Sequence, residues 1–192
     1  MRASVLRLLL LIPAMLVMAA PTTAASRPAA AARAGSRAVA TSACNTPADR
    51  QFDFWLGDWR VIDAHSGRLV GFDRVRGRLR GCVIQQSLTM LTDLYRKPAL
   101  GYRMAGMSIS RFDGQAWLQM WADDQWGAIV MRGGPRAGDA MALTSIVPSR
   151  GRDVRLVWRK YPDGTLHILQ YVAPAGSGKW TQYGDLIYLH NR

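Results

Sequence analysis

The chain reads as an all-β protein: a roughly ten-stranded antiparallel up-and-down barrel with a short N-terminal helical turn. Three observations predict it. Short alternating segments recur at near-regular spacing from Trp59 onward, turn signals separate them, and no stretch after Cys44 carries a long helical period. The one helical candidate is a turn over residues 48–56. Strands are expected over 59–64, 69–77, 82–91, 103–112, 116–122, 127–132, 140–147, 154–161, 165–172 and 180–190. Asp113-Gly114 and Pro162-Asp163-Gly164 are hairpin signals, because glycine and Asx residues adopt the backbone angles that tight turns need. Gly133-Gly134-Pro135 reads as a break after the sixth strand. Residues 92–101, with Lys97-Pro98, read as a longer loop. The alternation assigns faces: Val154, Leu156 and Trp158 share one, with Arg155 and Arg159 opposite. Consecutive hairpins left open would expose two long edges, and closure removes them.

The first 43 residues differ from the rest. Met1 to Arg7 carries two arginines and no acid, and Leu8 to Met18 is apolar. Thr23-Ala24-Ala25 supplies a small-residue cleavage site. This is a signal-peptide pattern over residues 1–25. Its apolar stretch falls short of the about 20 residues needed to span a bilayer. Residues 26–43 form an Ala/Arg-rich linker expected to be disordered. Residues 44–192 then make one domain, and the expected location is periplasmic or secreted. Cys44 and Cys82 are the only cysteines. An even count in an exported chain favours a disulfide between them. Such a bond would stabilise the fold by about 4 kcal/mol in the chain-entropy picture.

The formal charge of the chain is +12. Five arginines and no acid lie in residues 1–43, which leaves +7 for the domain. All thirteen acids are aspartate. Basic charge of this kind bears on solubility and non-specific contact rather than on fold.

Phe52 to Trp59 reads FDFWLGDW. Its Gly57-x-Trp59 resembles the motif that opens lipocalin and wider calycin barrels. The full octet resembles an exported bacterial family of unknown function with a lipocalin-like fold. The similarity continues through Gly81-Cys82, Gly106-x-Ser108, Phe112-Asp113, Trp117-x-Gln119-x-Trp121-x-Asp123 and Gly133-Gly134. One departure is clear: where the family suggests a carboxylate soon after Gly81-Cys82, Gln85 and Gln86 stand. The resemblance implies structural roles for Trp55, Gly57 and Trp59, with Trp59 packing across the closed end of the barrel beside a basic residue of the last strand. Arg192 is the candidate for that cation–π partner.

No G-x-S-x-G, H-E-x-x-H or G-x-x-x-x-G-K motif is present. The chain therefore reads as a binding protein rather than an enzyme. Asp123-Asp124 beside Gln125 reads as a strand-end turn. His65 lies in a turn, and His167 alternates with Leu166 and Ile168. Haem-binding ten-stranded barrels of the nitrobindin type use a histidine near the chain end, so His190 is the position that a haem alternative would use; otherwise no cofactor and no metal is expected. Arg74, Arg76, Arg78 and Arg80 fall on every second position. They read as a solvated outer face that a turn near Gly77 or Gly81 would interrupt, able at most to touch an anionic envelope surface. No aromatic interleaving marks a nucleic-acid platform. Trp117, Gln119 and Trp121 share a face that combines apolar wall and polar handle, the chemistry of a small-molecule pocket. Gln86, Gln170 and Tyr183 are further candidates. The expected partner is a small apolar molecule in the barrel interior. A haem-binding or isomerase-type enzyme, and a filled structural or envelope-interaction barrel, are the alternatives. Oligomeric state is not readable from the chain.

Overall fold

The structure is a computed structural model, and it describes residues 44–191. The signal-peptide and linker expectations, and Arg192, lie outside the described residues. Ten strands follow one another: β1 Gly57–Asp63, β2 Leu69–Arg78, β3 Val83–Met90, β4 Ala105–Phe112, β5 Trp117–Asp123, β6 Gly127–Arg136, β7 Ala140–Ser145, β8 Arg152–Lys160, β9 Leu166–Pro174 and β10 Thr181–His190. Each pairs antiparallel with its sequence neighbours, and β1 pairs with β10, so the sheet closes into a barrel. The closing register sets Trp59 opposite His190 and Val61 opposite Tyr188. With closure, no row of backbone N–H and C=O groups is left at a sheet edge.

The helical expectation over residues 48–56 resolves into two 3-10 turns, Pro47–Arg50 and Asp53–Trp55. Thr46 caps the first, its hydroxyl accepting from the Asp49 N–H while the Asp49 carboxylate accepts from the Thr46 N–H. Proline at the first helical position suits such a start, because its missing N–H would have had no partner there. These turns carry Phe52 and Trp55 into one end of the barrel, where both are fully buried. The Phe52 ring lies 5.1 Å from Trp158 and 5.5 Å from Trp117, both edge-on, and 5.0 Å from Trp55. Cys44 and Cys82 form the expected disulfide, across 38 positions of sequence. Arg50 adds a second tie by donating to the carbonyls of Cys44 and Gly81. A disulfide is what an oxidising, extracytoplasmic environment permits.

One strand boundary departs from expectation. Gly133-Gly134-Pro135 does not break the sheet; it lies inside β6, and the chain turns only at 137–139. Gly133 faces Leu143 of β7, and a Cβ there would sit 1.9 Å from the Ala142 carbonyl oxygen. The glycine therefore allows close approach of two strands rather than a turn. Pro135 is tolerated because β5 pairs only as far as Gly133, so β6 has one neighbour beyond that point.

The arginine stripe ends where the chain turns, at the 3-10 turn Leu79–Gly81. Arg74 and Arg76 reach Asp58 on the outer face, at 3.3 and 2.6 Å, and Arg78 donates to Gln85 at 2.8 Å.

Candidate functional site

Alternation along a closed sheet sends every second side chain inward. At the end capped by the N-terminal turns, the interior is filled by inward Trp59, Trp117 and Trp158 together with Phe52 and Trp55 of those turns. Toward the other end the interior is not filled. A cavity of about 230 Å³ lies there, with walls from Trp121, Ile129, Met131, Leu156 and Trp158. The segment between β3 and β4 contributes Tyr95 and Met104, and the β5–β6 turn contributes Trp126.

The expected site residues are brought together in large part. Gln86, Gln119, Trp121, Gln170 and Tyr183 all line this cavity. Tyr183 stands at its rim, half exposed. Trp117 does not reach it. That residue is buried in the aromatic cluster at the closed end, one inward position before Gln119. The three-residue wall thus spans two environments, because a seven-residue strand is long enough to run from plug to cavity. Trp121 has room because Gly106 pairs near it; a Cβ on Gly106 would come within 2.3 Å of the indole. The Trp121 N–H donates to Asp123 Oδ2 at 2.7 Å. Asp123 Oδ1 accepts from the N–H groups of Gln125 and Trp126, so Asp123 anchors the strand-end turn as well as edging the cavity.

The structural residues hold the opposite end. Trp55 and Trp59 are buried, and the Trp59 indole donates to the Trp55 carbonyl at 2.9 Å. The Gly57 carbonyl accepts from Arg76. His190 stacks on Trp59 with ring centroids 4.0 Å apart. It stands at the closed end and is not among the residues lining the cavity. His167 points to the outer face, where its ring meets Asp185 at 3.0 Å. Among the described residues no group of three or more His, Cys, Asp or Glu side chains could hold a metal ion.

Between plug and cavity runs a band of buried polar side chains: Asp73 on β2, Gln86 on β3, Ser108 and Ser110 on β4, and Gln119 on β5. The register makes them neighbours, with Gln86 opposite Ser108 and Ser110 opposite Gln119. Ser108 donates to Gln86 Oε1 at 2.8 Å, and Gln86 Nε2 donates to Asp73 Oδ2 at 2.6 Å. The Tyr188 hydroxyl donates to the same Oδ2 at 3.0 Å. Gln119 Nε2 donates to Ser110 at 3.0 Å. Burial pushes the Asp73 carboxyl up to about 6, although its hydrogen bonds pull the other way. Burial likewise pushes the Tyr188 hydroxyl well above its ordinary value.

Asp73, Ser108, Tyr188 and Tyr95 are absent from the set expected from sequence. For Asp73 a signal existed: alternation with Arg74 and Arg76 puts it on the inner face with Val75. For Tyr95 there was none, because it sits in a loop. Its hydroxyl donates to Gln170 Oε1 at 2.6 Å across the barrel mouth, and its carbonyl accepts from the Trp126 indole.

No family model matches the chain, and no curated protein matches its sequence.

Proposed function

We propose that the protein is an exported barrel of the lipocalin-like kind that binds a small, mostly apolar molecule in its interior. The observation that carries this reading is the cavity beside Trp121, whose wall is chiefly aromatic and aliphatic with a few amide and hydroxyl groups among it. Binding sites for small molecules share this composition, since burial of apolar surface supplies affinity and a few polar groups supply orientation. At about 230 Å³ the space is smaller than the roughly 300–1,000 Å³ of sites for drug-sized ligands. A compact ligand fits this volume better than a long acyl chain or a retinoid. The exposed arginines of β2 add, at most, a weak contact with an anionic envelope surface.

Trp121, Trp126 and Trp158 all touch the cavity, so occupancy should alter intrinsic fluorescence. Titration with compact terpenes and substituted benzenes should give a saturable change, and retinoids and long fatty acids should give less. Absence of any change across the compact set, in protein whose circular dichroism shows the folded sheet, would refute the reading.

A further inference from the structure

The cavity wall has a polarity that narrows its ligand, given the reading that it binds one. Among the described residues no lysine, arginine or histidine lines it. Lys97 and Arg150 come near, but each lies over the Trp126 ring, at 4.7 and 5.0 Å, and neither is part of the wall. Its one charged member is Asp123, whose oxygens already accept three N–H groups. An anionic ligand would therefore be buried without a counter-charge and beside a carboxylate. A cationic one would meet a single carboxylate at the cavity edge, with three of its roughly four lone-pair sites already taken. Burying a charge without a partner costs several kcal/mol after relaxation, whereas amides and hydroxyls are suited to an uncharged polar group.

At one part of the wall, beside Gln86 and Tyr188, the direction of the available hydrogen bonds is also set. Asp73 Oδ2 draws in both the Gln86 N–H and the Tyr188 hydroxyl hydrogen. Gln86 Oε1 and Tyr188 Oη are left with spare lone pairs, and both residues line the cavity. We propose that the cavity selects an uncharged ligand bearing a hydroxyl, which donates to this Gln86–Tyr188 pair, and that Asp73 is the positioning residue that turns the pair into acceptors.

Asp73 does so from behind, since it is not among the residues lining the cavity. Tyr188 on β10 and Gln86 on β3 face it through Oδ2, and its Oδ1 has no hydrogen-bond partner. Trp59 is its partner across β1. The nearest charged side chains on β1 and β2, Asp58, Arg74 and Arg76, pair with one another on the outer face. With its carboxyl pushed to about 6, Asp73 is ionised at pH 8 and protonated at pH 5. A proton on Asp73 Oδ1 would have no acceptor, since that oxygen has no hydrogen-bond partner, whereas one on Oδ2 donates to the Tyr188 hydroxyl oxygen. The Tyr188 hydroxyl then turns its own hydrogen elsewhere, and the bias toward ligand donors weakens.

Four probes that share one ring test this: 2-phenylethanol, acetophenone, phenylacetate and phenethylamine, titrated into the full mature chain by tryptophan fluorescence. At pH 8 the alcohol should bind most tightly, and each ion about tenfold or more weaker, the cost of an unpaired buried charge. The ratio of alcohol to ketone affinity should fall between pH 8 and pH 5. It should be independent of pH in Asp73→Asn. Tyr188→Phe, which removes one acceptor, should lower the ratio at pH 8 even if Asp73→Asn fails to fold. Equal or tighter binding of phenylacetate or phenethylamine would overturn the uncharged-ligand inference and leave the binding reading standing. A ratio that does not change with pH in the wild type would overturn the role of Asp73. If none of the four probes nor any compact terpene binds to folded protein, the binding reading fails and this inference fails with it.

Discussion

The two ends of the barrel solve the same packing problem in opposite ways. At the closed end, Phe52 and Trp55 from the N-terminal turns drive into the space beside Trp117 and Trp158 and pack ring against ring. This packing leaves polar groups without partners: the buried indole N–H groups of Trp55, Trp117 and Trp158 have none. At the mouth end the polar groups are largely paired, through Gln86, Gln119, Gln170 and Tyr95, and the volume is left open. The comparison teaches that stability and binding are divided along the axis of one sheet. Aromatic burial at one end can carry a cavity at the other.

The largest expected effect tests the plug. Phe52→Ala removes a fully buried ring that touches four other aromatic residues. It should cost about 3–5 kcal/mol in urea unfolding. A loss no greater than that from truncating Trp121 would erase the division between the two ends.

The disulfide should rank next. Replacing Cys44 and Cys82 together by serine releases the N-terminal turns from the barrel wall and should cost about 2–4 kcal/mol. The same loss should appear in wild-type protein unfolded under reducing conditions.

Asp73 separates the two ends by pH. Its folded-state value, raised from 3.8 to about 6, lies above that of the unfolded chain. Between these values the folded protein holds a proton that the unfolded chain has released, so stability falls as pH rises through this window. The loss is complete above about pH 6, where it amounts to about 3 kcal/mol. Asp73→Asn should therefore stabilise the protein at pH 8 and do little at pH 4. Denaturant midpoints measured at both pH values check this, and equal shifts at both would contradict it.

Smaller effects are expected from two tryptophans. Trp121→Ala, at a half-buried wall position, should cost about 1–2 kcal/mol and reduce the fluorescence response to compact ligands to that of Trp126 and Trp158. Trp158→Phe keeps an aromatic ring and removes an N–H that has no partner, and should cost about 1 kcal/mol or less.

Much of the barrel was legible before any coordinates. Val154, Leu156 and Trp158 alternate with arginines as a half-buried strand must, and Asp113-Gly114 turns where a hairpin needs it. Gln86, Gln119, Trp121 and Gln170 were legible for the same reason: period-two alternation decides which side of a sheet a side chain faces. Tyr183 was not, because alternation with Leu186 and Tyr188 would turn it outward and a register shift between Gln182 and Gly184 intervenes. Depth along the barrel was not legible. Trp117 and Trp121 share a face, yet one packs in the plug and the other against the cavity.

Sequence by itself determined the roughly ten strands, the two faces of the regularly alternating ones and the pairing of the two cysteines, because these follow from local periodicity, turn chemistry and residue counts. Only the tertiary structure decided that Gly133-Gly134-Pro135 stays in a strand, that His190 stacks on Trp59, and that Asp73, Gln86 and Tyr188 meet. Those facts depend on register between strands and on contact between residues as far apart as 73 and 188, which no local pattern encodes.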